Sequence, residues 1–186
     1  MKIRRVVVGN DEQGRSVFLS DEVAPNSHDF EFMPGNAHAR IWYVPGPVTT
    51  QVPGTEPTSN TGPLLPGPGG ASFVISQFPP ATVVEDPGFD GAKAAEEAST
   101  YAPDLIAVME PDGMHRTATV DYGIVLDGEI WLEVDGGEER LLAVGDTIVQ
   151  LGGRHGWRNK SDRPATVAFV LTGAHDGAAP PTAGSS

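Results

Sequence analysis

The chain has 186 residues, enough for one sizeable core and, less readily, for two small domains. Twelve basic residues against 25 acidic ones leave a formal charge of −13, which argues against nucleic acid or an anionic membrane surface as a partner. With no cysteine there is no disulfide scaffold, thiolate metal site or cysteine nucleophile, and 23 glycines and 17 prolines speak against a helical bundle.

The first nine residues, MKIRRVVVG, start basic, but their apolar run is cut off by Asp11 and Glu12. It is too short for a signal peptide or a membrane span, so a cytoplasmic location is expected. Residues 3–8 are rich in β-branched side chains and read as a strand. SVFLS at 16–20 is a second strand and RIWYV at 40–44 a third, with 24–35 between them as loop. Residues 45–70 hold seven prolines and six glycines, which forbid a helix or a central strand. They are either a flexible linker or a loop laid over the fold. The flanking segments are too short to be separate domains, which favours the loop. SFVISQF at 72–78 is a strand stopped by Pro79-Pro80.

Residues 90–102, DGAKAAEEASTYA, combine an acidic start with strong helix formers and are the one convincing helix. Its apolar content is mostly alanine, so it should pack weakly, as a surface helix or as a cover over a pocket. From Thr117 onward the pattern is dense β. Strands at 122–126 and 129–134 flank Asp127-Gly128, a strong hairpin signal. Asp135-Gly136-Gly137 turns into a strand at 139–143, and strands follow at 147–151 and 166–172. Short strands at spacings near ten residues suggest a sandwich or barrel. The tail from His175 has almost nothing to bury and is expected to be disordered.

The block from His115 to Asn159 resembles the two signatures of the cupins. In the first, His115-x-Thr117 is followed by Asp121 and, after six residues, Gly128; Thr117 stands where a second histidine is usual and Asp121 where glutamate is. In the second, Gly145-Asp146 leads to Leu151-Gly152-Gly153, His155 and Asn159, with Leu151 in place of the usual proline and one residue fewer before His155. HRTATVDY at 115–122 and QLGGRHGWRN at 150–159 are similar to a subgroup of single-domain bacterial cupins of mostly unassigned activity, in which Ala118 would be aspartate. Arg5–Asp21 also looks like this subgroup, and 81–113 looks like an insertion relative to it.

The resemblance implies an all-β cupin jelly-roll β-barrel with added N-terminal strands and a short helical insertion. It implies one domain over 1–174 (motif core 113–172), a tail at 175–186, and a homodimer paired through the N-terminal strands. It also implies that His115, Asp121 and His155 point into the barrel. Imidazole and carboxylate donors suit Fe, Mn, Ni, Cu or Zn, and two His plus one carboxylate can hold one face of an ion. The same residues without metal would serve as acid and base. Strand alternation lets only one of Asp121 and Tyr122 face inward. The family register favours Asp121, and a shifted register would make Tyr122 a phenol donor. Trp157 shares the face of His155 and either stacks a planar substrate or plugs the barrel. Thr117, Arg116 and Arg158 complete the candidate substrate-binding set, and Arg116, Arg154 or Arg158 would serve as a fork for a carboxylate. His28, His38 and His175 are placed in loops or tail, outside any motif. No Gly-rich phosphate loop or Gly-x-Ser-x-Gly elbow occurs, so neither a nucleotide cofactor nor a hydrolase triad is expected. The expected function is an enzyme on a small molecule inside the barrel: an organic acid, or a cyclic or aromatic metabolite. A dehydratase, isomerase or lyase is favoured over an Fe-dependent dioxygenase, with a non-catalytic binding barrel as the alternative of another class.

Overall fold

The computed structural model describes residues 1–51 and 53–175; the expected disordered tail, apart from His175, lies outside these residues. Among the described residues, eleven strands, three α-helices and one 3-10 turn (Asp135–Gly137) follow in chain order. The strands are β1 (Arg4–Asn10), β2 (Ser16–Val23), β3 (Asn26–Asp29), β4 (Ala37–Val44), β5 (Ala71–Phe78), β6 (Thr119–Asp127), β7 (Glu129–Val134), β8 (Glu138–Ala143), β9 (Thr147–Leu151), β10 (His155–Arg158) and β11 (Ala165–Gly173). The helices α1 (Thr82–Glu85), α2 (Gly91–Tyr101) and α3 (Pro103–Ile106) all lie between β5 and β6. None is long and apolar enough to cross a membrane among the described residues.

Two sheets form the jelly roll. The larger has the order β3-β4-β5-β11-β6-β9, and the smaller has β10-β7-β8. Chain crosses from one to the other at Asp127-Gly128, where Gly128 takes φ +75°, a left-handed conformation that costs other L-residues steric strain. A third pair, β1-β2, stands apart as the added N-terminal ribbon. All pairings are antiparallel, so each strand alternates its faces. On β6 the burial pattern shows this directly: Thr119, Asp121, Gly123 and Val125 face in, while Tyr122, Ile124 and Leu126 face out.

The core follows from that alternation. Val125, Ile130, Ala165 and Val167 form a fully buried cluster packed by Phe78, Trp157 and Phe169. On the outer face of the larger sheet, Ala39, Ile41 and Ile75 are covered by Met1, Ile3 and Ala24 from the N-terminal segment. The neighbouring half of that face, Tyr122, Ile124, Val149, Leu151 and Val170, is left exposed.

Two expectations about loops are corrected. Residues 24–35 contain β3, which the polar residues Asn26, Ser27, His28 and Asp29 do not advertise; pairing with β4 makes it a strand. His28 and His38 therefore lie opposite one another on β3 and β4, not in loops. The short β10 was likewise unmarked, because Gly152-Gly153 and Gly156 conceal it.

The Pro/Gly-rich segment 45–70 is laid against the larger sheet. Leu64 packs with Val74 and Leu171, and Arg5 forks the Glu56 carboxylate through two 2.8 Å hydrogen bonds. Helix α2 starts where the Asp90 side chain accepts from Lys93 N. Among its residues only Ala94 is buried, as its alanine-rich composition implies. Polar fasteners hold the helical segment instead. The Glu97 carboxylate accepts from Glu31 N and Phe32 N at 2.9 Å each and meets His28 Nε2 at 2.7 Å. Asp104 accepts from Leu64 N and Leu65 N, and the buried Arg40 donates to the Tyr101, Gly62 and Pro63 carbonyls.

Candidate active site

The two signature histidines are brought together by backbone. Gly113, at φ +81°, turns the chain after Pro111-Asp112, helped by Asp112 accepting from Met114 N. His115 then lies beside His155, and the two exchange N–H···O bonds of 2.8 and 3.0 Å. Side chains of such a pair stand on one face, and the ring centroids are 4.3 Å apart. Each ring is braced through Nδ1 by the carbonyl two residues before it: His155 by Gly153 at 2.9 Å, His115 by Gly113 at a longer 3.4 Å. A carbonyl can only accept, so Nδ1 carries the proton and Nε2 presents a lone pair. Burial lowers the pKa of both rings, and the adjacent His155 lowers that of His115 further.

Asp121 enters from β6, buried and facing the same cavity. Its Oδ1 has no hydrogen-bond partner. Burial pushes its carboxyl up, against the opposing pull of Thr119 and His115. Gln150 stands opposite on β9, and its Nε2 is also unpartnered. Thr117 and Thr119 share a 2.7 Å hydroxyl hydrogen bond in the wall beside Asp121.

The cavity measures about 460 Å³, in the range of small-molecule sites. Trp157 forms one wall with Phe78 and Phe169, ring centroids 6.0 and 5.3 Å away, and stands edge-on to His155. It lines the space and does not plug it. Residues of the helical segment, among them Val84, Ala98, Leu105, Ile106 and Met109, close another side.

Of the sequence-derived candidates, His115, Thr117, Asp121, His155, Trp157 and Arg158 line this one cavity. Two do not. Tyr122 keeps 52% of its surface exposed on the outer face of β6, because the register turns Asp121 inward. Arg116 is exposed, since the inward-facing His115 and Thr117 flank it. Arg158 donates from Nε to Glu133 at 2.7 Å, and Arg154 is engaged by Glu110, Asp112 and Asp135 at the rim. Arg154 is therefore not free to fork a substrate carboxylate, whereas Arg158 spends only Nε on Glu133 and lines the cavity. Asn159, the last residue of the second signature, braces the following turn by donating to the Phe78 and Arg163 carbonyls. His38 and Gln150 also line the cavity. Residue type and strand parity were their only signals.

The donors suit a divalent ion in kind: two imidazole Nε2 lone pairs and an unpartnered buried carboxylate oxygen. Among the described residues, however, no three His, Asp or Glu side chains are grouped closely enough to hold one.

No family model matches the chain. It is 28% identical over 181 residues to the cupin-domain-containing oxidoreductase fogC of Aspergillus ruber, covering 94% of this chain and 74% of that one. Oryzines biosynthesis cluster protein J of Aspergillus oryzae is 60% identical over 47 residues; that match spans about a quarter of either chain (25% here, 26% there). Among solved structures, a putative ethanolamine utilization protein of Salmonella typhimurium aligns over 94% of this chain and 99% of its own at 12% identity and TM-score 0.41. Two antiparallel sheets, a histidine pair between them and full-length similarity to a cupin-domain protein agree: this chain has the cupin jelly-roll fold.

Proposed function

We propose that this protein is a cupin-type enzyme that moves protons on a small molecule held in the cavity, as a dehydratase, isomerase or related lyase does. The observation that carries this is the facing pair His115 and His155, each braced at Nδ1 and free at Nε2, in one cavity with the buried Asp121. Neutral imidazole is a base, and burial favours the protonated form of the Asp121 carboxyl, the form that can donate. One Nε2 would take a proton from a carbon next to a carbonyl. Asp121 would give a proton to a departing hydroxyl, forming a double bond and water, or to another carbon of the framework. Trp157, Phe78 and Phe169 exclude water and orient the ring or chain.

The test needs no known substrate. In D₂O, a panel of enolisable ketones and β-hydroxy ketones is followed by proton NMR for loss of the signal next to the carbonyl. Exchange should fall by about 10²-fold or more in His155→Ala and His115→Ala, the usual size of a general-base contribution. Exchange no faster than in the double variant would sink the reading.

A second reading is oxidoreductase chemistry, favoured by the relative of that name that matches 94% of this chain and by the donor types of His115, His155 and Asp121. These three side chains would have to draw together to hold an ion, which would supply Lewis acidity or a position for O₂. Oxygen uptake with added Fe²⁺ separates it from proton transfer.

We also propose a homodimer paired through the N-terminal strands, where Val8 of β1 and Phe18 of β2 stand exposed. A sedimentation mass near 19.5 kDa, that of one chain, would refute it.

A further inference from the structure

The cavity has a second polar pole that belongs to neither signature. His38, on β4, is 5% exposed and lines the cavity, and its Nε2 has no hydrogen-bond partner. Phe30 packs edge-on against its ring at 5.4 Å, and His28, stacked on Tyr101, stands beyond. Burial, with Arg40 adding to it, holds the imidazole down at about 4, so the ring is neutral near pH 7. Its register places it opposite Ser76 on β5, which stands opposite Val167 on β11, beyond which lies β6 with Asp121. Val167 is level with Val125 on β6, and Asp121 lies four residues further along that strand, so the two poles are offset both across three strands, on the order of 14 Å, and along the strand, on the order of 13 Å.

What separates them is apolar. Val74, Phe169, Leu171, Leu105, Ile106 and Met109 line the space between. Arg158, the one Arg or Lys lining it among the described residues, donates through Nε to Glu133. A neutral hydrogen-bonding oxygen would find a partner at His38, and buried polar atoms are rarely left without one.

We propose that the cavity takes a largely apolar molecule that reaches the His115, Asp121 and His155 pole and carries a hydroxyl or carbonyl that bonds to His38 Nε2. His38 is then a specificity-determining residue. This rests on the reading of the cavity as a substrate site, but binding tests it separately from turnover.

The probes are biphenyl and 4,4′-dihydroxybiphenyl, with retention measured by equilibrium dialysis. In the wild type the diol should bind more tightly than biphenyl, and in His38→Phe that advantage should shrink about three- to tenfold, the size of one net hydrogen bond. Biphenyl, which has no group to bond to His38, should bind the variant within about twofold of wild type, which also reports that the variant is folded. His38→Gln keeps a hydrogen-bonding atom and should keep the advantage. The proposal is overturned if the diol's full advantage survives in His38→Phe, or if neither probe is retained. Absence of deuterium exchange with these binding results intact would instead count against the proton-transfer reading alone.

Discussion

Asp121 should destabilise the protein that carries it. Its carboxyl is buried, 8% exposed, and Oδ1 lacks a partner. A buried polar atom left unpaired costs about 1–3 kcal/mol, and more when charged. Replacement by valine removes the unpaired oxygen and the ionisable group together, so Asp121→Val should raise stability at pH 7 by about that amount. For a domain of this size, where 1 kcal/mol moves Tm by roughly 2–4 °C, the rise is between about 2 and 12 °C. The pH dependence fixes the sign. The folded carboxyl titrates above its unfolded value because burial disfavours the charged form. Such a group favours folding below the ordinary carboxylate pKa of about 3.9, and that benefit is lost as pH rises through the folded pKa. The gap between variant and wild type should therefore be widest at neutral pH and close as the pH falls toward about 4. Calorimetric melts of both proteins from pH 3.5 to 8 measure it. A variant that melts below wild type at pH 7, or a gap that widens on acidification, would refute the reasoning.

The remaining expectations concern the core, a turn and an ion. Ile130, fully buried, should lose about 2–5 kcal/mol on replacement by alanine and about 0.5–1.5 by valine, read from urea unfolding. Gly128 and Gly136 both sit at left-handed φ, +75° and +82°, so alanine costs each about 1–2 kcal/mol. At Gly128 the new Cβ would also stand 2.9 Å from Ala165 Cα and Pro164 O, while at Gly136 it meets nothing, so Gly128→Ala should be clearly the more damaging in the same assay. If His115, Asp121 and His155 bind a divalent ion, Mn²⁺ or Ni²⁺ at a hundredfold excess over its Kd stabilises the fold by about 2.7 kcal/mol. A chelator should reverse that rise in Tm, His115→Ala and His155→Ala should abolish it, and Thr117→His should strengthen it. Identical melts with and without ion would remove the metal from the account.

What the sequence announced was whatever depends on local pattern. The Asp127-Gly128 hairpin, the strands around it and the alanine-rich helix are written in turn chemistry and periodicity. The inward turn of Asp121 followed from motif register, and strand parity then sent Tyr122 out. Hidden residues owed their role to partners far along the chain. His38 has no motif, and only the pairing of β4 with β3 and β5 makes it a cavity wall. β3 itself is polar and would be loop by composition. Arg154 looked available because nothing local shows Glu110 or Asp135 arriving to engage it. Charges are legible in a sequence, but their counter-ions are not.

The helical segment at the cavity wall is fastened by carboxylates gripping backbone amides, and the barrel by apolar side chains gripping one another. These two adhesives respond to different things, so wall and core become separately adjustable parts of one chain. Of its own residues α2 buries only Ala94, so its amides should exchange with solvent well ahead of those in β11. Evolution, or an engineer, can therefore harden the core at Val125, Ile130 and Val167 without stiffening the wall, and can loosen the wall at Glu97 without softening the core.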